Sequence, residues 1–525
     1  MARLALAALL ALLPLAAAAQ SPPPRAGGTA VIGLAAPPPT LIPALSAAPE
    51  TAAIGCLVWN GLVTLDRRLE PQPELARAWA WSDEGRRLTL TLEPGVRWHD
   101  GRPLTAADVK FSLESVAARH NVRIARPLAR VERVDAPDAA TVVIQLTQPY
   151  APLLTLLTCE DTPVLPRHIY GEGDLAARLS EGPAPVGSGP FHWSRRSGFR
   201  LELVKNRTYW KGGLPYLDRV EARIIPDAVA RLRALESGDV DHLAAGLLPP
   251  ADLAALRINT DVRLYEGAGL PRTALLTFNL KRPLLADRRA RVALALTVNR
   301  ARLVSEAWLG FGVMARAPVH PALRWAQNPA LDFTRRFALD PPRARRLLAE
   351  AGHAPKEGGP PRALRLLHAG HRPALAAAAS LVRDGWRTLG VDTTVEAPDS
   401  PAALEAAIAR GDWDALLSLS PPGADPDAAM APVYLSGAAG GAGAGGYANA
   451  TVDDLLTQGV RRPNRDERRK YYTHAQSLIA DDLPVLPLVD LTSVEVARDS
   501  IRGLAPSGTP WARWDRVWRA EAGRR

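Results

Sequence analysis

The chain predicts a mixed α/β fold, and three observations carry that prediction. Leu88, Leu90 and Leu92 alternate with Thr89, Thr91 and Glu93, the period of a half-buried strand. Asp100-Gly101 follows as a turn dipeptide, because Gly accepts a positive φ and Asp bonds its own backbone. Thr105 then stands where an N-cap belongs, with Asp108 three residues on as the short-armed partner of a capping box. Beyond it Val109, Leu113 and Val116 repeat at i, i+4 and i+7, the stripe of a helix.

The rest of the chain continues in the same mixture. Residues 29–35 read as a strand and 51–65 as a helix. Residues 131–135 and 141–146 form an expected hairpin around Ala136-Pro137-Asp138. Strands are further expected over 219–225, from Val391 and over 413–420, with helices over 228–236 and 466–481. Residues 437–446 are Gly/Ala-rich and read as a loop.

The chain has 525 residues and is 47% hydrophobic, ample for a large core, and its length alone suggests two to four domains. Arg3 followed by an apolar run from Leu4 to Ala19, broken by Pro14 and ending in small residues, reads as a secretory signal peptide over 1–19, with cleavage after Ala19. That run is too short and too Ala-rich for a stable membrane span. No Cys follows it, which argues against a lipid anchor, and a flexible leader over about 20–26 comes next. The net charge is +10, but the arginines are scattered among Ala and Pro. The clustered basic stripe with aromatics that nucleic-acid binding requires is absent. Cys56 and Cys159 are the only cysteines and are candidates for pairing in an oxidising compartment, although sequence leaves their separation open.

The motifs of enzymes are missing. Gly187-Ser188-Gly189 is not the Gly-x-Ser-x-Gly of a nucleophile elbow, and the glycine run lacks the Lys-Ser/Thr of a phosphate loop. His368 and His371 are three apart, but Gly370 and Pro373 make their segment a loop and no third metal ligand accompanies them. His99 beside its turn reads as a packing or backbone-bonded residue. No cofactor and no enzymatic activity are expected.

The stretch from Arg97 to Glu114 closely resembles the signature of the family 5 extracellular solute-binding proteins, whose usual form is "pGvkWhDGtpftAeDVvfSle". These are the periplasmic dipeptide-, oligopeptide- and nickel-binding components of bacterial ABC importers. Other stretches resemble the family in its own order: 69–76 with Trp79, 164–170, Gly187 to Phe191, 205–210, 277–283, 287–300, 340–352 and 483–490. The resemblance implies a two-lobe periplasmic binding protein fold of type II with an extra subdomain in the first lobe. Lobe I would span 27–276 and 485–525, with the subdomain at about 70–186, and lobe II would span 277–484. It also implies a monomer in the periplasm that captures a small peptide-like or other organic solute and hands it to ABC permease subunits. A sensor that passes ligand-induced closure to a receptor is the alternative use of such a fold.

The resemblance also suggests where ligand would touch. In relatives the start of the first helix faces the interlobe cleft, which makes Trp59 and Asn60 candidates. Trp79, Trp98 and Trp210 lie in family motifs and read as packing. Peptide-binding relatives carry an acid just beyond a strand of the second lobe, where it pairs with the ligand's α-ammonium. Matching Asp425-Pro426-Asp427 to the family's "DPD" puts Pro422 at that acid. Ser418, Ser420, Asp425 and Asp427 remain as candidate ligand contacts, the two aspartates also suiting turn-forming roles.

Overall fold

The structure is a computed structural model. It describes residues 23–520 apart from 122, 182–184, 355–361 and 371, so the expected signal peptide and His371 lie outside the described residues. Two large sheets organise the chain. The first has seven strands in the order Val262–Glu266, Val494–Arg498, His242–Leu243, Thr29–Leu34, Arg219–Ile224, Arg200–Lys205 and Phe191–Ser197. Thr29–Leu34 is its centre and runs parallel to both neighbours, with Ala30, Ile32 and Leu34 in the core. The second has six strands in the order Gly312–Met314, Val485–Leu491, Thr273–Phe278, Ala415–Leu419, Arg362–His368 and Val391–Glu396. All six residues of Thr273–Phe278 are buried, as a strand covered on both faces requires.

The two crossings fall a few residues from where the sequence reading sets them. Thr273–Phe278 and Val485–Leu491 pair antiparallel, from Thr273 against Asp490 to Thr277 against Val485. Pairing with each other puts both in the second sheet. The chain therefore changes sheet before Thr273 and again after Leu491, not at 276/277 and 484/485.

A separate four-stranded antiparallel sheet, in the order Ala76–Ser82, Arg87–Leu92, Thr141–Leu146 and Val131–Asp135, builds the added subdomain. Leu88, Leu90 and Leu92 point into its core, as their alternation predicts. Gly101 has φ +87°, which only Gly adopts without strain. Asp108 Oδ2 accepts the Thr105 N–H at 2.9 Å, closing one half of the capping box. Its Oδ1 accepts the Arg167 N–H at 2.9 Å, so one carboxylate caps the helix Ala106–Phe111 and fixes the entry to a second element.

The first helix is shorter than expected. It runs Pro49–Val58 and not to residue 65, and Trp59 is already extended. Gly61 explains the stop: its backbone lies so close to the 158–159 peptide that an added Cβ would sit 2.3 Å from the Cys159 nitrogen. The Gly187-Ser188-Gly189 element crosses the same helix end. A Cβ on Gly187 would lie 1.8 Å from the Val58 carbonyl oxygen, and the Gly189 N–H donates to that oxygen at 2.8 Å. Cys56 and Cys159 are joined in a disulfide, with Cα atoms 5.7 Å apart. The glycine run 437–446, expected as a loop, contains one helical turn, Gly441–Ala444.

Candidate functional site: the interlobe cavity

A cavity of about 670 Å³ lies between the two sheets' domains. Its first wall comes from the start of the helix Pro49–Val58, from Arg123 and Arg126, and from the segment Tyr150 to Asp161. Its second wall is the segment Pro421 to Ala428 with Ala431 and Pro432. Ala268 to Arg272 and Ser493 with Glu495, next to the two crossings, complete it.

The walls are tied together directly. Tyr150 of the first wall donates its hydroxyl proton to Asp427 Oδ2 of the second at 2.8 Å. Burial pushes the Asp427 carboxyl up, the neighbouring Asp425 charge adds to that, and the Tyr150 hydrogen bond opposes it. Burial first, then Asp427, pushes the Tyr150 phenol well above its ordinary range, so the phenol keeps its proton and acts as donor. The Arg130 guanidinium lies 4.6 Å from the Tyr150 ring centre. Away from the cavity, Arg461 Nη2 donates to Gln148 Oε1 at 3.0 Å and Arg465 pairs with Glu70, so the lobes also meet along the added subdomain.

Asp425 lines the cavity but is engaged in the fold. It caps the helix Pro426–Tyr434, its Oδ1 accepting the Asp427 N–H at 3.0 Å. The same oxygen accepts from Arg468 Nη2 at 2.6 Å in a pair whose side chains are 6% and 4% exposed. Arg468 also donates to the Gly459 carbonyl at 2.7 Å and to the Tyr472 hydroxyl at 3.0 Å. A buried pair held this way costs several kcal/mol to break, roughly 3–5, because the surviving charge is left uncompensated.

The other expected contacts lie elsewhere. Ser420 is buried and its hydroxyl accepts the Thr273 N–H at 2.9 Å, closing the end of a strand pair one residue before the wall begins. Ser418 sits opposite Leu275 within the sheet. Trp59 is buried, donates to the Val186 carbonyl at 3.0 Å, and lines a second cavity of about 780 Å³ next to residues 38–42. Asn60 donates to Glu74 Oε1 at 2.7 Å and accepts from Ser188 at 3.0 Å. Glu74 in turn is paired with Lys211 at 2.7 Å, which reaches Asp515 at 3.1 Å. Because the helix ends at Val58, both residues fall beyond its far end, while the cleft faces its start. His99 is a fold residue, as read from the sequence. Its Nδ1 accepts the Gly187 N–H at 3.2 Å, which leaves the proton on Nε2 for the Gly189 carbonyl at 3.0 Å. Burial, then His192, lowers its pKa to about 4.

Sequence reading missed Tyr150, Glu160 and Arg272. Glu160 follows Cys159 directly, and its two carboxylate oxygens are shielded from solvent. Burial pushes its pKa up to about 7, with Asp161 adding to the rise and Thr158 and Arg123 opposing it. The pair Glu160-Asp161 ending an apolar run was the available signal. Arg272 had none, since it stands alone between two motifs.

Residues 70–441 match the model of the bacterial extracellular solute-binding proteins, family 5 Middle. The heme-binding protein A of Haemophilus influenzae is 28% identical over 480 residues, covering 86% of this chain and 84% of that protein. The probable D,D-dipeptide-binding periplasmic protein DdpA of Escherichia coli is 28% identical over 464 residues and covers 86% of each. Among solved structures, the ABC transporter substrate-binding protein CtaP of Listeria monocytogenes superposes with a TM-score of 0.82 at 23% identity, covering 95% of this chain and all of that one. That likeness establishes the two-lobe fold with its interlobe cleft. No helix among the described residues is long and apolar enough to cross a membrane. The chain therefore belongs to the bacterial extracellular solute-binding proteins of family 5, which bind peptides or similar solutes and serve ABC importers.

Proposed function

We propose that the solute of this protein occupies the cavity between Tyr150 and Asp427, and that it is a small peptide-like or other organic molecule without a free α-ammonium. The volume of about 670 Å³, within the usual range for small-molecule sites, supports that size. The single observation that carries the reading is the cavity's construction from both walls. A molecule touching both is bound better by the closed arrangement than by the open one and shifts the population towards it. Closure presents the loaded form to the permease. The protein binds and releases without making or breaking bonds in the solute, as a periplasmic monomer whose mature chain begins near Gln20.

Mass spectrometry of solute co-purified from the periplasm tests this. Ala245 is half-buried on the cavity wall, in a loop. A folded Ala245→Trp variant should lose the co-purified molecule, and retention at parental stoichiometry would place the site elsewhere.

A further inference from the structure

The second cavity, of about 780 Å³, shares a single lining residue, Ser46, with the interlobe cavity. Every residue lining it precedes the first crossing, so it does not depend on the lobes closing. Its volume lies within the usual range for small-molecule sites.

Its charge is one-sided, and a hairpin shows why. Phe191–Ser197 pairs with Arg200–Lys205 in a register that shifts between Trp193 and Arg195. Trp193 stands opposite Leu203 and Arg196 opposite Leu201, and Leu201 and Leu203, two apart, share a face. The bulge thus brings Arg196 onto the face of Trp193, where unbroken alternation would send it to the other side. On that other side arginines meet acids. Arg195 and Arg219 pair with Glu202 at 3.1 and 3.4 Å, and Arg200 lies 3.8 Å from Glu221. On the cavity side Arg196 has no ion-pair partner among the described residues. Arg178 and His120 also line the cavity, and no carboxylate does.

The remaining surface is mostly apolar. Trp59, which the helix end leaves outside the interlobe cavity, lines this one together with Trp193, Leu41, Leu45 and Leu179. Tyr170 adds an unsatisfied polar group. It is 2% exposed, and burial alone pushes its phenol up to about 12, so the proton stays on. Among the described residues its hydroxyl has no hydrogen-bond partner. It is not one of the sealed polar atoms either, so it opens on the cavity that Tyr170 lines. A buried phenol ordinarily finds an acceptor, and here the chain supplies none.

We propose that this cavity is a second ligand site, separate from the interlobe one, and that it takes a monocarboxylate with an apolar body. The body lies against Trp59, Trp193 and the leucines, and its removal from water supplies most of the affinity. The carboxylate oxygens answer the Arg196 guanidinium, whose fork they match, and the free O–H of Tyr170.

Calorimetry at about pH 8, where decanoate is ionised, tests this with decanoate and decyltrimethylammonium, which share a chain and differ in the sign of their charge. Decanoate should bind about ten-fold tighter or better. Arg196 and Ala176 are both exposed, and Ala176 lies on the cavity wall. Arg196→Gln should bring the two affinities together, whereas Arg196→Lys should keep part of the difference. Tyr170→Phe should weaken decanoate several-fold at an undiminished melting temperature, because the hydroxyl makes no bond in the fold. A folded Ala176→Trp variant should lose decanoate, and Ala245→Trp in the interlobe cavity should leave its affinity unchanged. No binding of decanoate, equal affinities for the two probes in the parent, or binding lost in Ala245→Trp and kept in Ala176→Trp overturns the proposal. Because Ala245→Trp reads the interlobe site and Ala176→Trp this one, failure of either reading leaves the other standing.

Discussion

The Tyr150 hydroxyl reaches across the cavity to Asp427 at 2.8 Å, joining a residue of the first lobe to the one that follows the capping Asp425–Pro426 pair of the second. A hydrogen bond to an acid is worth about 1.5–3 kcal/mol when one partner is charged. Tyr150→Phe should therefore lower the closed population and weaken solute binding by roughly ten-fold or more, since about 1.4 kcal/mol is a factor of ten. Small-angle scattering of the unliganded variant should report a larger radius of gyration. An unchanged radius together with unchanged affinity would deny the bond any part in closure.

Glu160 sets an expected pH dependence. Burial holds its pKa at about 7 in the folded chain against an ordinary value of 4.5, so the folded state binds the extra proton between those two values. Stability then falls as pH rises through that window, because the unfolded state binds fewer protons there. Glu160→Gln removes the titration. Its stability relative to the parent should improve between pH 4.5 and 7 by an amount on the order of 1–3 kcal/mol. Denaturant midpoints at pH 5 and pH 8 measure it, and a variant-to-parent difference that does not change with pH would contradict the assignment.

The disulfide bears on both stability and site. Cys56 and Cys159 are 103 residues apart in sequence, and a loop near that length is worth up to about 4.7 kcal/mol in the chain-entropy model. Thr158 and Glu160, which flank Cys159, line the cavity, as do Pro49 and Ala52 on the helix that carries Cys56. Reduction should therefore lower stability by about 2–5 kcal/mol and also weaken binding in the protein that stays folded. Thiol titration of denatured, unreduced protein should find no free thiol.

Gly187 is a position where the backbone path alone dictates the residue. The added Cβ of Gly187→Ala would lie 1.8 Å from the Val58 carbonyl oxygen, so the helix end or the crossing loop must move. A loss of about 4 kcal/mol or more is expected, in the tail of single-substitution effects. Gly212→Ala, whose Cβ meets nothing within 4 Å, is the control and should change little. Comparable melting temperatures for the two variants would refute the account.

Fold was legible where local physics and long-range packing agree. Leu88, Leu90 and Leu92 announced a strand by alternation, and the Thr105–Asp108 pair announced a helix start, because both depend on neighbours in sequence. Gly187 was readable only as part of a family-like stretch, because what constrains its backbone, Val58, lies far along the chain. The site was less legible because its residues are defined by burial and partner. Asp425 and Asp427 were found through a motif. Arg468, which neutralises Asp425, sits 43 residues away on a helix whose pattern signals only amphipathicity. Trp59 and Asn60 stand beyond the helix end and away from the interlobe cavity, because the helix expected to run to 65 stops at Val58. Nothing in sequence marks Arg272, since its place on the cavity wall is a property of three dimensions.

The remaining prediction concerns solutes with a free α-ammonium. A buried ammonium needs a paired acceptor, because an uncompensated charge in a closed cleft costs several kcal/mol. The resemblance read from the sequence implies that peptide-binding relatives meet that need with an acid at the place Pro422 would take, and Pro422 offers neither charge nor N–H. Asp425 does not substitute while Arg468 holds it at 2.6 Å, nor Glu160, whose oxygens are shielded from the cavity. Asp427 is left to share one carboxylate between Tyr150 and any newcomer. Ordinary di- and tripeptides should therefore bind weakly, and N-acetylated forms should lose nothing by the blocking group. Pro422→Asp should raise affinity for unblocked dipeptides by at least ten-fold, the worth of about 1.4 kcal/mol, while leaving the blocked forms unimproved. Asp425→Asn should chiefly lower stability, because it strands Arg468. Submicromolar binding of unmodified dipeptides by the parent chain, lost in Asp425→Asn at undiminished stability, would make Asp425 the anchor after all and overturn this reading of Pro422.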